Sequence, residues 1–192
     1  MHQAREAALK ESRALIQISS KAIRHVHRKQ FDAAETLVAE ARSMSRKARQ
    51  AVAATPEILY AGYLQDAEKE MVEAAAVLAI TLGKPIPSPQ ELGVQVTSYL
   101  NGMGEAASEV RRYLLDELRG GRYDSAERIL QVMESIYDDL ITFDYPDGLT
   151  GGLRRTCDAL RAVIERTRSD LTMTLSQGEL LRALRESRED KK

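Results

Sequence analysis

An all-α protein, folded as an antiparallel bundle of six to seven helices, is the architecture this sequence predicts, and three observations carry the prediction. Its 192 residues are 43% hydrophobic and 30% charged but only 5% aromatic, with no Trp, a balance typical of helices rich in Ala, Leu, Arg and Glu rather than of sheets. Apolar residues recur at three- and four-residue spacing through long stretches, and the strict alternation of a half-buried strand does not stand out. Glycine and proline gather at a few points between those stretches, where they mark turns. The length suits one domain over residues 1–192, with a core from about 3 to 175 and a C-terminal extension from about 176 to 192.

The first helix spans residues 3 to 29, with Ala8, Leu15, Ile18, Ala22 and Val26 on one side, and stops near Gln30. Asp32 is placed to cap a second helix that reaches about Ala54. Thr55-Pro56-Glu57 reads as a fresh start: a capping hydroxyl, proline at the first helical position and an acid in the first turn, leading a third helix to about Leu82. Residues 83 to 89 hold three of the five prolines and form the clearest hinge. A fourth helix covers roughly Leu92 to Arg119 and ends at Gly120-Gly121. Asp124 can cap a fifth, which stops before Tyr145-Pro146-Asp147-Gly148. The last helix starts near Leu149 or Leu153 and carries Leu153, Cys157, Leu160, Ile164 and Leu171 in helical register. After Gly178 the chain is amphipathic at first and is expected to fray in its final eight residues.

Bulk chemistry excludes several classes. Twenty-eight basic against 29 acidic residues give a net charge of −1, so a nucleic-acid partner would have to be held by a local patch. The lone Cys157 rules out an intramolecular disulfide and a cysteine zinc cage. No apolar run reaches the roughly 18 residues of a membrane span, and the N-terminus lacks the layout of a signal peptide, so a cytoplasmic location without membrane attachment is expected.

Four carboxylates are the main chemical equipment. With about 100° of rotation per residue, Leu59, Tyr63, Ala67, Ala74 and Val77 share a narrow sector of the third helix, and Glu70 points into its middle. Glu73 lies on the edge of that sector, while Glu68 and Lys69 read as solvated charges. A buried carboxylate is costly unless paired, protonated or bound to metal, so Glu70 needs a partner, either a cation or an arginine. On the fourth helix Tyr99, Met103, Ala106, Val110 and Leu114 form the apolar side. Glu105 and Glu109 stand opposite near Arg112, as a solvated face unless folding or assembly closes a cavity over it. Gly102 and Gly104 are unfavourable inside a helix and point to close approach of a backbone or ligand.

A basic stripe lies elsewhere. Lys10, Lys21, Arg24 and Arg28 share one sector of the first helix with His25 and His27 alongside, and Arg42, Arg46 and Arg49 repeat the device on the second. Such a stripe can follow a phosphate backbone without reading sequence; a solvated face balanced by Glu6 and Glu35 accounts for it equally. His25 and His27, two apart, diverge by about 200° and do not form a metal pair.

Taken in order, Arg24-His25-Val26-His27-Arg28, Glu70-Met71-Val72-Glu73-Ala74, the Tyr99-to-Glu105 segment followed by Glu109, and Tyr123-Asp124 after Gly120-Gly121 resemble the translin/Trax family over about residues 3 to 175. Each motif is short, and their order makes the resemblance specific. It implies an all-α fold, a closed octameric shell and, for Trax-type subunits, a metal-dependent endoribonuclease. All four acidic places of the Trax pattern are acidic here, which resembles the catalytic subunit rather than the RNA-binding translin type. Glu105 stands where Asp is usual, a longer arm that keeps the ligand type. Compact loops resemble a prokaryotic or archaeal-like member that assembles with itself. The implied site has Glu70, Glu73 and Glu105 on Mg²⁺ or Mn²⁺, with Glu109 as a further ligand or the base. Lys21, Arg24, His27 and Arg28 are then expected to hold single-stranded or short duplex RNA.

Two rivals share parts of this pattern. A MazG-type nucleotide pyrophosphohydrolase also pairs acids on helices, but its later pair is spaced by three, whereas Glu105 and Glu109 are four apart. A non-catalytic RNA- or single-strand-binding assembly needs only the basic stripe. A ferritin-like dimetal oxidase lacks its Glu-x-x-His ligands here, and no glycine-rich phosphate loop or Ser/His/Asp set is present.

Overall fold

The computed structural model describes residues 2–189, with side chains from 5 to 188; the last three residues of the expected frayed end lie outside the described residues. Six long helices, α1 (His2–His27), α2 (Phe31–Val52), α4 (Tyr63–Leu82), α6 (Val96–Arg119), α7 (Tyr123–Leu140) and α9 (Leu153–Glu189), build the bundle. Three single turns, α3 (Pro56–Leu59), α5 (Pro89–Leu92) and α8 (Asp147–Thr150), lie in the connections, and no strand occurs among the described residues. The expected all-α class and its six long elements are therefore present.

Local chemistry explains most boundaries. Gly83 ends α4 in the left-handed conformation (φ 64°), and Gly121 (φ 71°) turns the chain after α6. Within the proline-rich hinge, Ser88 and Glu91 form a capping box: the Ser88 hydroxyl accepts from the Glu91 amide at 3.2 Å and the Glu91 carboxylate accepts from the Ser88 amide at 2.7 Å.

Some boundaries differ from expectation. The start at Thr55-Pro56-Glu57 exists, but its helix lasts one turn, because Gly62 adopts φ 93° and the chain begins again at Tyr63. The first α2 turn contains Asp32, while Gln30 occupies the cap position. Helix α7 stops at Leu140, leaving residues 141–149 as an exposed connection. At the other end α9 passes through Gly178 and stays helical to Glu189, where fraying was expected earlier. Leu, Ala, Arg and Glu are all strong helix formers, so this segment holds helix without packing.

The core forms where α4 and α6 pack on each other; α1 and α2 cover α4, and α7 and α9 cover α6. From Met71 to Thr81 every residue of α4 is buried except Glu73. The close approach expected at Gly102 and Gly104 is present. A Cβ on Gly102 would come 2.7 Å from the Lys69 carbonyl oxygen and 2.7 Å from Val72 Cβ, and one on Gly104 would meet Thr156 Cγ2 at 2.5 Å. Glycine thus lets α6 lie directly against α4 on one side and α9 on the other. Cys157 is buried beside Leu153 and Leu160, as its register predicts.

Candidate metal centre

Glu70 and Glu73 project from α4, and Glu105 and Glu109 from α6, at the place where Gly102 brings the two helices together. Glu70, Glu73 and Glu105 each offer a carboxylate oxygen within 4.8 Å of the other two, and all three are half-buried. Glu109 follows one turn along α6 and lines the same groove, of about 480 Å³, with Glu73, Glu105, Ser108, Arg155 and Thr156. Acids from two different helices therefore supply one cluster.

Electrostatics make the cluster high in energy as it stands. Burial, reinforced by the charges of Glu70, Glu105 and Glu109, pushes the Glu73 carboxyl up to about 8. Burial and the Glu105 charge also raise Glu70. Lys69 is the nearest compensating cation, and its ammonium donates to Glu105 at 2.7 Å. Burial works against that ammonium, but the Glu105 hydrogen bond and charge, with Glu70 and Asp66, outweigh it and hold the lysine above its usual range. Even with Arg155 lining the same groove, the four acids outnumber the cations beside them and leave an excess of negative charge. An all-oxygen donor set of this kind fits a hard divalent cation, Mg²⁺ or Mn²⁺, which would hold Glu73 in its ionised form.

Glu109 has its own partner. His27 Nε2 lies 2.6 Å from Glu109 Oε1, with the imidazole N–H donating, and the histidine side chain is only 4% exposed. Its Nδ1 is buried without a hydrogen-bond partner among the described residues. His27 therefore faces the acids rather than the basic surface on which the sequence reading grouped it. The reason is helical phase: two residues beyond His25 the side chain points about 200° away from it, and there the His27 imidazole reaches Glu109 of α6.

The other sequence-derived candidates sort differently. Lys10, Lys21 and Arg24 are exposed on α1, and Arg28 is exposed in the turn that follows it. Of the three α2 arginines only Arg46 is exposed: Arg42 donates to the Glu91 carbonyl at 2.6 Å and Arg49 grips Glu68. Glu68 is not a solvated charge: it is fully buried, with both oxygens on Arg49 at 2.9 and 2.6 Å, and burial raises its pKa despite that pairing. Nor is Lys69 solvated, since it reaches across to Glu105. Glu105 and Glu109 pair with Lys69 and His27 rather than Arg112. Periodicity missed these residues because each partner lies on another helix.

Arg155, exposed at the start of α9, is a groove residue that carried no signal in sequence. It is delivered by the anchoring of that helix: Thr156 donates to Asn101 Oδ1 at 2.8 Å, and Asn101 Nδ2 donates to the Thr150 carbonyl at 2.7 Å.

No family model matches the chain. It is 30% identical over 170 residues to an uncharacterized protein of Methanocaldococcus jannaschii, a match covering 87% of this chain and 74% of that protein. Among solved structures it is similar to AfC3PO in a complex with duplex RNA, with a TM-score of 0.86 and 37% identity over 92% of this chain and 91% of that one. AfC3PO alone gives 0.86 and 36%, covering 92% of each chain. Apo-NeC3PO gives 0.80 and 25%, covering 90% of each.

Proposed function

The chain belongs to the translin/Trax family, the C3PO family of its structural neighbours, and from that premise we propose that it is a metal-dependent endoribonuclease acting within a homo-oligomeric shell. The observation that carries the reading is the triad of half-buried carboxylates on α4 and α6, held together without enough positive charge to balance it. The duplex RNA bound by AfC3PO supports RNA as the partner here, either single-stranded or as a short duplex. An octamer is the proposed assembly, on the family resemblance alone.

In this reading Glu70, Glu73 and Glu105 would hold Mg²⁺ or Mn²⁺. Such a cation, when bound, would supply Lewis acidity at the phosphate and lower the pKa of the attacking water. Glu109 is the base: it accepts the proton of the attacking water, and the His27 N–H keeps its carboxylate aimed into the groove. Exposed Lys21, Arg24 and Arg28 hold the backbone phosphates, with Arg155 at the rim of the acid cluster.

The test is cleavage of a labelled RNA in Mg²⁺ or EDTA by the wild type and by Glu73→Gln. Loss of a direct ligand should reduce cleavage by more than the roughly 10–100-fold typical of an outer-shell partner, with folding and RNA binding retained. Full activity in Glu73→Gln would sink the proposal. The Lys69–Glu105 pair favours a second reading, in which the acids are partly neutralised from within and the assembly only holds RNA. RNA binding indifferent to EDTA, with no cleavage in any divalent metal, would establish that alternative.

A further inference from the structure

Lys69 carries a positive charge from α4 into the acid cluster, and we propose that it is a positioning residue acting through Glu105: a tethered ammonium that competes with the divalent cation for that carboxylate and so sets how tightly the cluster binds metal. The inference rests on the reading of Glu70, Glu73 and Glu105 as metal ligands.

Three successive charges on α4 point three ways. At about 100° per residue, Glu68 turns to Arg49 of α2, Lys69 to α6 and Glu70 to the cluster. The Lys69 ammonium donates to Glu105 Oε1 at 2.7 Å, and the two side chains are only 26% and 36% exposed. Glu70 and Asp66 add their charges to that of Glu105 around it. The root of the lysine is fixed, because its carbonyl oxygen lies in the close α4–α6 contact, 2.7 Å from where a Cβ on Gly102 would stand. Glu105 follows Gly102 by three residues, so one contact holds both ends of the pair. Glu70 and Glu73 make no ion pair among the described residues, which leaves Glu105 as the one member of the triad already held by a cation.

A carboxylate engaged in this way is not equally open to a second cation. An ammonium and a metal ion sharing one carboxylate oxygen stand about 5 Å apart, and even at the dielectric constant of bulk water the repulsion between them corresponds to about a tenfold loss of affinity. Lys69 also offsets the mutual repulsion of the acids across the α4–α6 contact. Removing its charge therefore moves two quantities in opposite directions: the protein without metal loses stability, and its affinity for metal rises. A lysine that only aimed Glu105 at the metal would, when lost, lower the affinity by about 10–100-fold, as other outer partners of ligands do. The sign of the change separates the two roles.

The experiment titrates Mn²⁺ into the full chain, stripped of metal with EDTA and dialysed, and reads affinity by calorimetry and thermal unfolding by circular dichroism. Lys69→Met should bind Mn²⁺ about tenfold more tightly than the wild type and unfold at a lower temperature in EDTA. Lys69→Gln, which keeps a polar head without the charge, should also bind more tightly, and it carries the measurement if Lys69→Met does not fold. Lys69→Arg should stay within about threefold of the wild type, as should Lys84→Met, which removes the same charge from the Glu35 pair beyond the C-terminal end of α4. Unchanged or weaker binding in the neutral Lys69 variants would overturn the proposal, and so would equal tightening in Lys84→Met. Absence of Mn²⁺ binding by the wild type and by both neutral Lys69 variants would instead refute the metal-site reading, and the inference with it.

Discussion

Glu73 shows how one residue's surroundings set its chemistry. It is the only residue of α4 between Met71 and Thr81 that escapes full burial, and burial with three acidic neighbours pushes its carboxyl up to about 8 from an ordinary 4.5. Because the folded value is raised, the neutral form's contribution to stability is fully present below about 4.5 and is lost as pH rises through about 8. A cation binds the ionised form, so binding expels a proton, and Mn²⁺ affinity should fall about tenfold per pH unit below that value. Titrations of Mn²⁺ at pH 6 and pH 8 should thus differ by up to about 100-fold, and Glu73→Gln should flatten the difference. His27 is tested by comparing two variants. His27→Ala should lower kcat by about 10–100-fold, while His27→Gln, which keeps an N–H near the Nε2 position, should recover much of the loss. Neither should change RNA affinity measured in EDTA, since the exposed Lys21, Arg24 and Arg28 are untouched.

At the scale of elements, the site depends on how closely α6 lies against α4. Gly102 makes that contact possible, and a methyl group there would sit 2.7 Å from both the Lys69 carbonyl and Val72 Cβ. Gly102→Ala should therefore destabilise the fold by about 1–3 kcal/mol in a urea titration, despite alanine's better helix propensity. It should also weaken metal binding, because Glu105 is three residues along the same helix and would move away from Glu70 and Glu73. Another anchor ties the α1–α2 turn to the far end of α6: Glu117 accepts from Lys29 at 2.9 Å and from Arg122 at 2.8 and 2.7 Å. The Arg122 hydrogen bonds, with those from Lys29 and Ser125, hold its carboxyl down to about 2 against the cost of burial.

For the whole molecule, the acid cluster links the two halves of the bundle, since its carboxylates come from α4 and α6 and its outer partner His27 from α1. A cation bound only by the folded arrangement stabilises it by mass action, about 2.7 kcal/mol at a free concentration 100 times the Kd. Thermal unfolding should accordingly move to higher temperature with added Mn²⁺, and the shift should vanish in Glu73→Gln. Among the described residues no helix is long and apolar enough to cross a membrane.

What the sequence by itself determined follows from local rules. The three- and four-residue apolar period, the glycine stops at Gly83 and Gly121 and the proline-rich hinge specify the six long helices, because helix phase and termination depend on near neighbours. Close approach at Gly102 and Gly104 was legible for the same reason: glycine is unfavourable inside a helix unless space demands it. The four acids could be named from their order along the chain. Tertiary structure decided which of them meet, that Lys69 and His27 serve them, that Glu68 is buried on Arg49, and that Arg155 reaches the groove. Those facts depend on the relative rotation of helices far apart in sequence, which is set by packing across α1, α4, α6 and α9 and leaves no periodic trace in any one of them.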